Sequence, residues 1–277
     1  MSWWEAIVLG IVQGLSEFLP ISSSAHVSIV GQLIGNTDPG AAFTAVTQLG
    51  TETAVVLYFA KDIGRIIARW CQALVGKRPH SDPDVRMGWL VIVGSVPIVV
   101  MGLLFQDAIE THLRNLWITA AMLAGFGLII GIVDRAARNE RTLDQLTWKH
   151  GLLYGLAQCL ALIPGVSRSG GTIAAGLAMG YRREAAARYA FLLAIPAVFG
   201  SGLFQAAKIG TLDPNAAWGP IIVATVIAFV VGLGVIHWLL KYVSTHDYRW
   251  FVVYRVALAV VVAALLITGV LDPMPQA

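Results

Sequence analysis

Six apolar stretches of about 20 residues dominate this 277-residue chain and restrict what it can fold into. They cover roughly residues 42–60, 87–105, 116–133, 188–206, 219–240 and 252–271. A helix needs about 20 apolar residues to cross the hydrocarbon core of a bilayer. Only 13% of the residues are charged, whereas soluble domains usually carry about 25%. The sequence therefore predicts an all-α polytopic membrane protein with six transmembrane helices.

Two further apolar regions, 3–35 and 151–180, are interrupted. Pro20 and a run of serines break the first region, and the segment PGVSRSGG breaks the second. The halves are too short for full spans but suit re-entrant segments, so we expect two re-entrant helix-loop-helix hairpins. Two pairs of full spans, ten spans in all, would preserve the same charge pattern, and only the short halves argue against them.

Basic residues concentrate in four segments between the apolar stretches. Fifteen of the nineteen lysines and arginines lie in segments 61–86, 134–149, 181–188 and 241–249. Loops rich in Lys and Arg stay on the cytoplasmic side, so these four are predicted inside and the C-terminus outside. The net charge of +3 is small, and the basic residues are spread over loops. This argues against nucleic acid as a partner, and we expect the apolar surface to contact membrane lipids.

The predicted layout is a hairpin followed by three spans, repeated in the opposite orientation within a single membrane domain, 1–277. The first repeat covers about 1–133 and the second about 151–271. A faint internal similarity supports this, since GIVQGLSEFLPISS can be set beside GLAQCLALIPGVSRS. Inverted repeats place broken helices together near the bilayer midplane. We therefore expect residues 20–26 to lie close to residues 164–172.

The first broken region carries polar groups that an apolar environment penalises. Gln13 and Glu17 are four residues apart and share one helix face. Pro20 ends that helix, and Ser22, Ser23, Ser24 and His26 follow it. Serines that merely cap the next helix are the plain alternative. An ionisable group at membrane depth is nevertheless a functional-site hypothesis by default, and several such groups together favour a site.

The second polar loop, PGVSRSGGT, spans residues 164–172 and leads into an apolar helix. Glycine-rich backbone at a helix N-terminus can crowd amide groups around an anion. Arg168 adds forked donors that suit phosphate oxygens. A structural arginine paired with Glu17 or Glu52 is the alternative interpretation. The candidate phosphate-binding residues are Gln13, Ser22, Ser24, Gly165, Ser167, Ser169, Gly170, Gly171 and Thr172.

These groups suit cleavage of a phosphate ester or phosphoanhydride. Ser23 is the candidate nucleophile, His26 or Glu17 the candidate acid or base, and Arg168 the anion-binding group. Alternatively, Glu17 activates water directly and Ser23 only binds phosphate. Glu17 could also hold a hard divalent cation. A lipid-diphosphate transporter or flippase could use the same anion site, because broken helices in inverted repeats are also typical of transporters.

The chain resembles the bacterial undecaprenyl-diphosphate phosphatases of the bacitracin-resistance type over nearly its whole length. The resemblance rests on QGLSEFLPISSSAH and PGVSRSGGT, with QLGTETAVVLYF and ARYAFLLAIPA beside them. It implies removal of one phosphate from undecaprenyl diphosphate, which recycles the lipid carrier for peptidoglycan synthesis and confers bacitracin resistance. It also implies a site open to the outer face of the plasma membrane, dependence on Mg²⁺ or Ca²⁺, and a possible homodimer.

The resemblance assigns roles to five residues, and the sequence departs from the family pattern at two of its positions. The family's (E/Q)xxxE motif falls on Gln13 and Glu17, its serine on Ser23, its histidine on His26 and its arginine on Arg168. Gln13 stands where many relatives have Glu, which argues against a two-carboxylate metal site. Ala25 replaces an expected glycine. Glu52 is not a family residue, and we expect it to pair with Arg168 or to line a cavity.

Overall fold

The computed structural model of this chain describes residues 1–35, 38–212 and 218–274. Twelve α-helices occur in these residues: α1 Trp3–Ser16, α2 Ser23–Gly35, α3 Gly40–Tyr58, α4 Ala60–Leu74, α5 Pro83–Leu104, α6 Gln106–Ala108, α7 Leu116–Ala136, α8 Trp148–Cys159, α9 Arg168–Ala178, α10 Arg183–Leu212, α11 Trp218–Val243 and α12 Arg249–Ile267. Short 3₁₀ or π turns join some of them. The predicted all-α class is confirmed.

Five helices of the described part are long and apolar enough to cross a membrane: α5, α7, α10, α11 and α12. The sixth predicted span forms α3, which falls outside this group. Its 19 residues include four threonines together with Gln48 and Glu52. Five of the six predicted spans therefore have the length and composition of membrane-spanning helices. The sixth, α3, is more polar, and the predicted count of six is not confirmed.

The two interrupted regions form pairs of short helices, as the sequence predicts. Helices α1 and α2 have 14 and 13 residues, and α8 and α9 have 12 and 11. At about 1.5 Å of rise per residue none of them is long enough to cross the hydrocarbon core. The chain between α1 and α2 contains Pro20, and the chain between α8 and α9 contains Pro164.

Contacts between loops group the chain into two ends. At one end the four basic segments meet through Arg188 with Asp62, Arg183 with Asp134, and Arg86 with the Asp144 carbonyl. The amide of Tyr248 also donates to Asp134. At the other end three contacts join different segments: Arg114 with Asp38, the Leu116 amide with the Pro273 carbonyl, and the Asp272 amide with Gln32.

Helices of the first half pack against helices of the second half. Helix α11 packs on α1 and α3, helix α5 packs on α8 and α10, and the pairs α3–α10 and α7–α12 also touch. The largest buried apolar cluster includes Phe18, Phe191 and Leu239. It lies beside the loop that follows α1, so the packed core holds that loop against α10 and α11.

Close helix packing predicts a strong effect at Gly50 on α3. A Cβ at Gly50 would lie 2.1 Å from the backbone oxygen of Thr225 on α11. Because small residues let membrane helices approach closely, we expect Gly50→Ala to lower the free energy of unfolding by about 1–3 kcal/mol. Thermal unfolding in detergent measures this. The control is Gly125→Ala on α7, where a Cβ meets nothing within 4 Å; equal midpoints for both variants would contradict the packing.

Candidate active site

The two broken loops have the same local geometry. Ser22 and Ser167 each precede a helix and have positive φ angles of 74° and 75°. Each hydroxyl lies near that of the serine two residues on, 3.2 Å for Ser22–Ser24 and 3.1 Å for Ser167–Ser169. A positive φ is uncommon for a residue with a Cβ and is often found at functional sites. The residues between the serines, Ser23 and Arg168, therefore occupy corresponding positions.

The Glu17 carboxylate joins the two loops. Its Oε2 accepts from Ser23 Oγ at 2.6 Å, from Gln13 Nε2 at 2.7 Å and from Gln48 Nε2 at 3.4 Å. Its Oε1 forms an ion pair with Nη2 of Arg168. Glu17 is 7% exposed, and burying a carboxylate is costly unless donors and a cation of this kind satisfy it. The structure thus brings four predicted site residues together.

The predicted proximity of loops about 140 residues apart is therefore found. The Ser169 hydroxyl also donates to the backbone oxygens of Glu17 and Leu19, at 3.3 and 3.1 Å. The alternative interpretation, in which Arg168 pairs with Glu17 or Glu52, is also partly correct, because Arg168 forms an ion pair with Glu17. In the described part of the chain the other N–H groups of Arg168 donate to no protein acceptor, so they are available to an anion.

His26 faces away from Ser23. Its Nδ1 lies 2.7 Å from the Ser22 carbonyl oxygen, and its Nε2 lies 2.7 Å from the Tyr254 hydroxyl. A carbonyl oxygen only accepts, so Nδ1 carries the proton. In the neutral ring Nε2 then accepts from Tyr254, whose ring is stacked on the imidazole at 8°. Both ring nitrogens of His26 are occupied, and neither contacts Ser23.

A cavity of about 480 Å³ opens beside the two loops. Its polar wall includes Glu17, Ser23 and Arg168, together with Ser22, Ser24, Ser167 and Gln48. Its apolar wall comes from α5 and α10 and includes Ile98, Leu103 and Phe204. A polar end with one cation and a long apolar wall suits an amphiphile with an anionic head group.

Several of the predicted residues stabilise the second loop through local backbone contacts. Ser167 Oγ accepts from the Gly170 amide at 3.1 Å, which caps α9 at its N-terminus. The Thr172 hydroxyl donates to the backbone oxygens of Arg168 and Ser169. Gly165 has a φ of +95°. The residues Gln13, His26, Gly165, Ser169, Gly170, Gly171 and Thr172 are not part of the cavity wall.

Glu52 lies behind the ion pair. It is 2% exposed, and its Oε1 has no hydrogen-bond partner in the described part of the chain. Glu52 shares a second cavity of about 10 Å³ with Glu17, Arg168 and Ser169. Of the two expectations for Glu52, cavity lining is therefore observed, and no ion pair with Arg168 occurs within the described residues.

Sequence reasoning missed three residues that contact the loops. Gln48 reaches Glu17 from α3. Tyr254 and Arg255, neighbours on α12, reach His26 and the backbone of both loops. Arg255 is fully buried. The sequence did contain a signal for Arg255, because it is a lone arginine within the last apolar stretch. Charged groups inside membrane helices are rare and usually functional.

Gln13 and Glu17 do not form a two-carboxylate cation site, because Gln13 carries an amide. No group of three or more His, Cys, Asp or Glu side chains that could hold a metal occurs among the residues described. Both oxygens of Glu17 are engaged, and Gln13 turns its NH₂ group toward it. Mg²⁺ or Ca²⁺ at Glu17 stays a prediction, and the chemistry below uses only protein groups.

Comparison with known proteins gives a consistent result. The family model "Bacitracin resistance protein BacA" matches residues 6–261. Proteins called undecaprenyl-diphosphatase from Renibacterium salmoninarum and Pseudarthrobacter chlorophenolicus are each 62% identical to this chain, covering 98% of it and 98% and 100% of the relatives. Undecaprenyl-diphosphatase 2 of Streptomyces coelicolor is 56% identical, with 99% of this chain and 98% of that protein covered. The chain therefore belongs to the bacitracin resistance protein BacA family.

Proposed function

We propose that this protein hydrolyses undecaprenyl diphosphate to undecaprenyl phosphate and inorganic phosphate. The names of its relatives support the reaction and the substrate. The observation that carries the proposal is the Glu17 carboxylate, which accepts from Ser23 and pairs with Arg168 at the polar end of an apolar-walled cavity. The proposed base thus contacts both the proposed nucleophile and the proposed anion-binding group.

Glu17 acts as the base for Ser23 in the proposed first step. The Ser23 proton passes along its 2.6 Å hydrogen bond to Glu17 Oε2, while Oγ bonds to the terminal phosphorus. The bond from that phosphorus to the bridging oxygen breaks, and lipid phosphate leaves with the electron pair. Arg168 stabilises the transferring phosphoryl group through N–H groups not used by Glu17.

In the second step water bonds to the phosphorus of phosphoserine and the bond to Oγ breaks. Glu17 returns its proton to Oγ, and the protons of water leave with inorganic phosphate. His26 is not assigned proton transfer, because its ring nitrogens face Ser22 and Tyr254. The alternative in which Glu17 activates water and Ser23 only binds phosphate predicts no covalent intermediate, and the last experiment below separates the two.

The membrane arrangement proposed here is six spans and two re-entrant hairpins in an inverted repeat, with α3 as the sixth span. The pairings α1–α11 and α8–α5, and the cross-contacts α3–α10 and α7–α12, support such a repeat. The end that holds the basic segments is assigned to the cytoplasm. The other end, with Asp272 and Pro273, is assigned to the outer face of a bacterial plasma membrane, although residues 275–277 lie outside the described residues. A homodimer stays a prediction.

Phosphate release from undecaprenyl diphosphate by the purified protein in detergent tests the function. No compartments exist in detergent, so release there reports hydrolysis and not transport. We expect multiple turnovers, measured with and without a chelator of divalent metal. Release only with added Mg²⁺ or Ca²⁺ would support the predicted cation. Absence of turnover by folded protein under every condition would contradict the proposal and revive the flippase alternative, which the names of the relatives do not support.

A further inference from the structure

Arg255 on α12 is a buried cation without a carboxylate. Its side chain is fully buried, and no ion pair involves it within the described residues. Its guanidinium donates to five backbone oxygens: Pro20 at 2.9 Å, Leu123 at 3.1 Å, Met122 at 3.2 Å, Gly165 at 2.7 Å and Val166 at 3.2 Å. A buried charge is costly unless such partners satisfy it.

The five acceptors come from three separate parts of the chain. Pro20 belongs to the loop after α1, whereas Gly165 and Val166 belong to the loop before α9. One rigid, planar guanidinium thus holds both loops that carry the site, 145 residues apart in sequence, at a fixed separation. Ser23 and Arg168 follow these contact points by three residues or fewer.

The contacts also fix the orientation of peptide groups. The described residues contain no cis peptide bond, so in each planar peptide unit of this loop the N–H points opposite to the C=O. The Val166 carbonyl points at Arg255, and the Ser167 amide therefore points away from it. Ser167 lines the cavity, so Arg255 sets the backbone that begins the anion-binding turn.

Tyr254, which precedes Arg255, is connected to the first loop through His26. Its hydroxyl donates to His26 Nε2, and His26 Nδ1 donates to the Ser22 carbonyl, both at 2.7 Å. This chain of hydrogen bonds ends on the residue with a φ of 74° that precedes Ser23. The Ser22 carbonyl sets the tautomer of His26, and the Tyr254 hydroxyl, bonded to the other ring nitrogen, holds the imidazole in the orientation in which Nδ1 reaches that carbonyl.

We propose that Tyr254 and Arg255 form a positioning pair that holds the nucleophile loop and the phosphate loop in register for phosphoryl transfer. Tyr254 works through His26 on Ser22, and Arg255 works on the backbone of both loops. Neither residue touches the substrate cavity. The proposal rests on the proposed phosphatase function and assigns His26 a positioning role.

Tyr254→Phe tests the first half, because it keeps the ring stacked on His26 and removes only the hydroxyl. We expect kcat for phosphate release to fall about tenfold with KM unchanged, since His26 and Ser22 lie behind the nucleophile. Tyr248→Phe is the control, because the Tyr248 hydroxyl is buried and has no hydrogen-bond partner among the residues described. Equal kcat for both variants and wild type would overturn the role of Tyr254.

Arg255→Lys tests the second half, because it keeps the charge but cannot reach five carbonyl oxygens. We expect kcat to fall about 100-fold and KM to rise, since the phosphate loop is displaced. KM does not depend on the folded fraction, so a merely structural role would leave it unchanged. Arg183→Lys, which can keep its ion pair with Asp134, is the control. Wild-type kcat and KM in Arg255→Lys would overturn the proposal.

Two failures remain distinguishable in this design. If wild-type protein releases no phosphate, the proposed function is wrong. If wild type turns over and both variants match it, only the positioning pair is wrong. Thermal unfolding in detergent accompanies each assay. Should Arg255→Lys not fold, Tyr254→Phe decides alone, because Tyr254 is 44% exposed and its substitution disturbs little packing.

Discussion

Arg168→Lys will lower kcat/KM for undecaprenyl diphosphate by about 10²–10³-fold, and Arg168→Ala by more. Lysine keeps a positive charge but loses the planar fork that can bind Glu17 and phosphate oxygens at once. Alanine also leaves Glu17, 7% exposed, as a buried charge without its cation, which is strongly destabilising in itself. The measurement is steady-state phosphate release in detergent, with thermal unfolding recorded for each variant.

The chain offers a matched control for this arginine. Arg114 pairs with a single acid, Asp38, and its side chain is 20% exposed against 16% for Arg168. It lies off the substrate cavity, so Arg114→Lys should keep kcat/KM near the wild-type value. Comparable losses in Arg114→Lys and Arg168→Lys would mean that Arg168 supports the fold and does not bind the phosphoryl group.

Glu17→Gln is expected to lower kcat by about 10³-fold. The carboxamide has nearly the shape of the carboxylate but cannot take the Ser23 proton, and general bases contribute about 10²–10⁴-fold. The matched change is Glu52→Gln, because Glu52 shares a small cavity with Glu17 and Arg168, yet it forms no hydrogen bond with Ser23 among the described residues and lies off the large cavity. We expect Glu52→Gln to keep kcat within a few-fold of wild type.

Comparing Glu17→Gln with Glu52→Gln tests whether Glu17 alone is the base. Glu17 accepts from three side-chain donors and pairs with a cation, whereas Oε1 of Glu52 has no partner. A loss in Glu52→Gln as large as that in Glu17→Gln would show that the reaction needs both carboxyl groups. Turnover within tenfold of wild type in Glu17→Gln would exclude Glu17 as the base.

The parts of the site that the sequence predicts are those with local signals. Gln13 and Glu17 are spaced for one helix face, and they form a 2.7 Å hydrogen bond. Proline, glycine and serine interrupt two apolar regions at similar points, and that similarity predicts that residues 20–26 lie close to residues 164–172, where the ion pair between Glu17 and Arg168 joins the two loops. Short-range backbone chemistry carries these signals, so periodicity and composition are sufficient to find them.

The parts that the sequence does not predict depend on tertiary packing. His26 was a candidate base, but its direction depends on Tyr254, which is 228 residues away. Arg255 lies in an apolar stretch without a motif, and only the packing of α12 against α7 brings it to both loops. Helix α3 is more polar than a typical span because Gln48 and Glu52 face Glu17 and its ion pair.

Trapping phosphate on the protein tests the central claim, attack by Ser23 assisted by Glu17, most directly. Wild-type protein is mixed with undecaprenyl diphosphate carrying a labelled terminal phosphate, quenched within one turnover and digested for peptide mapping. We predict label on Ser23, and none in Ser23→Ala, which should also lose about 10³-fold or more in kcat. Release of labelled phosphate in a single turnover without labelled protein, together with full activity in Ser23→Ala, would contradict the account and favour direct attack by water.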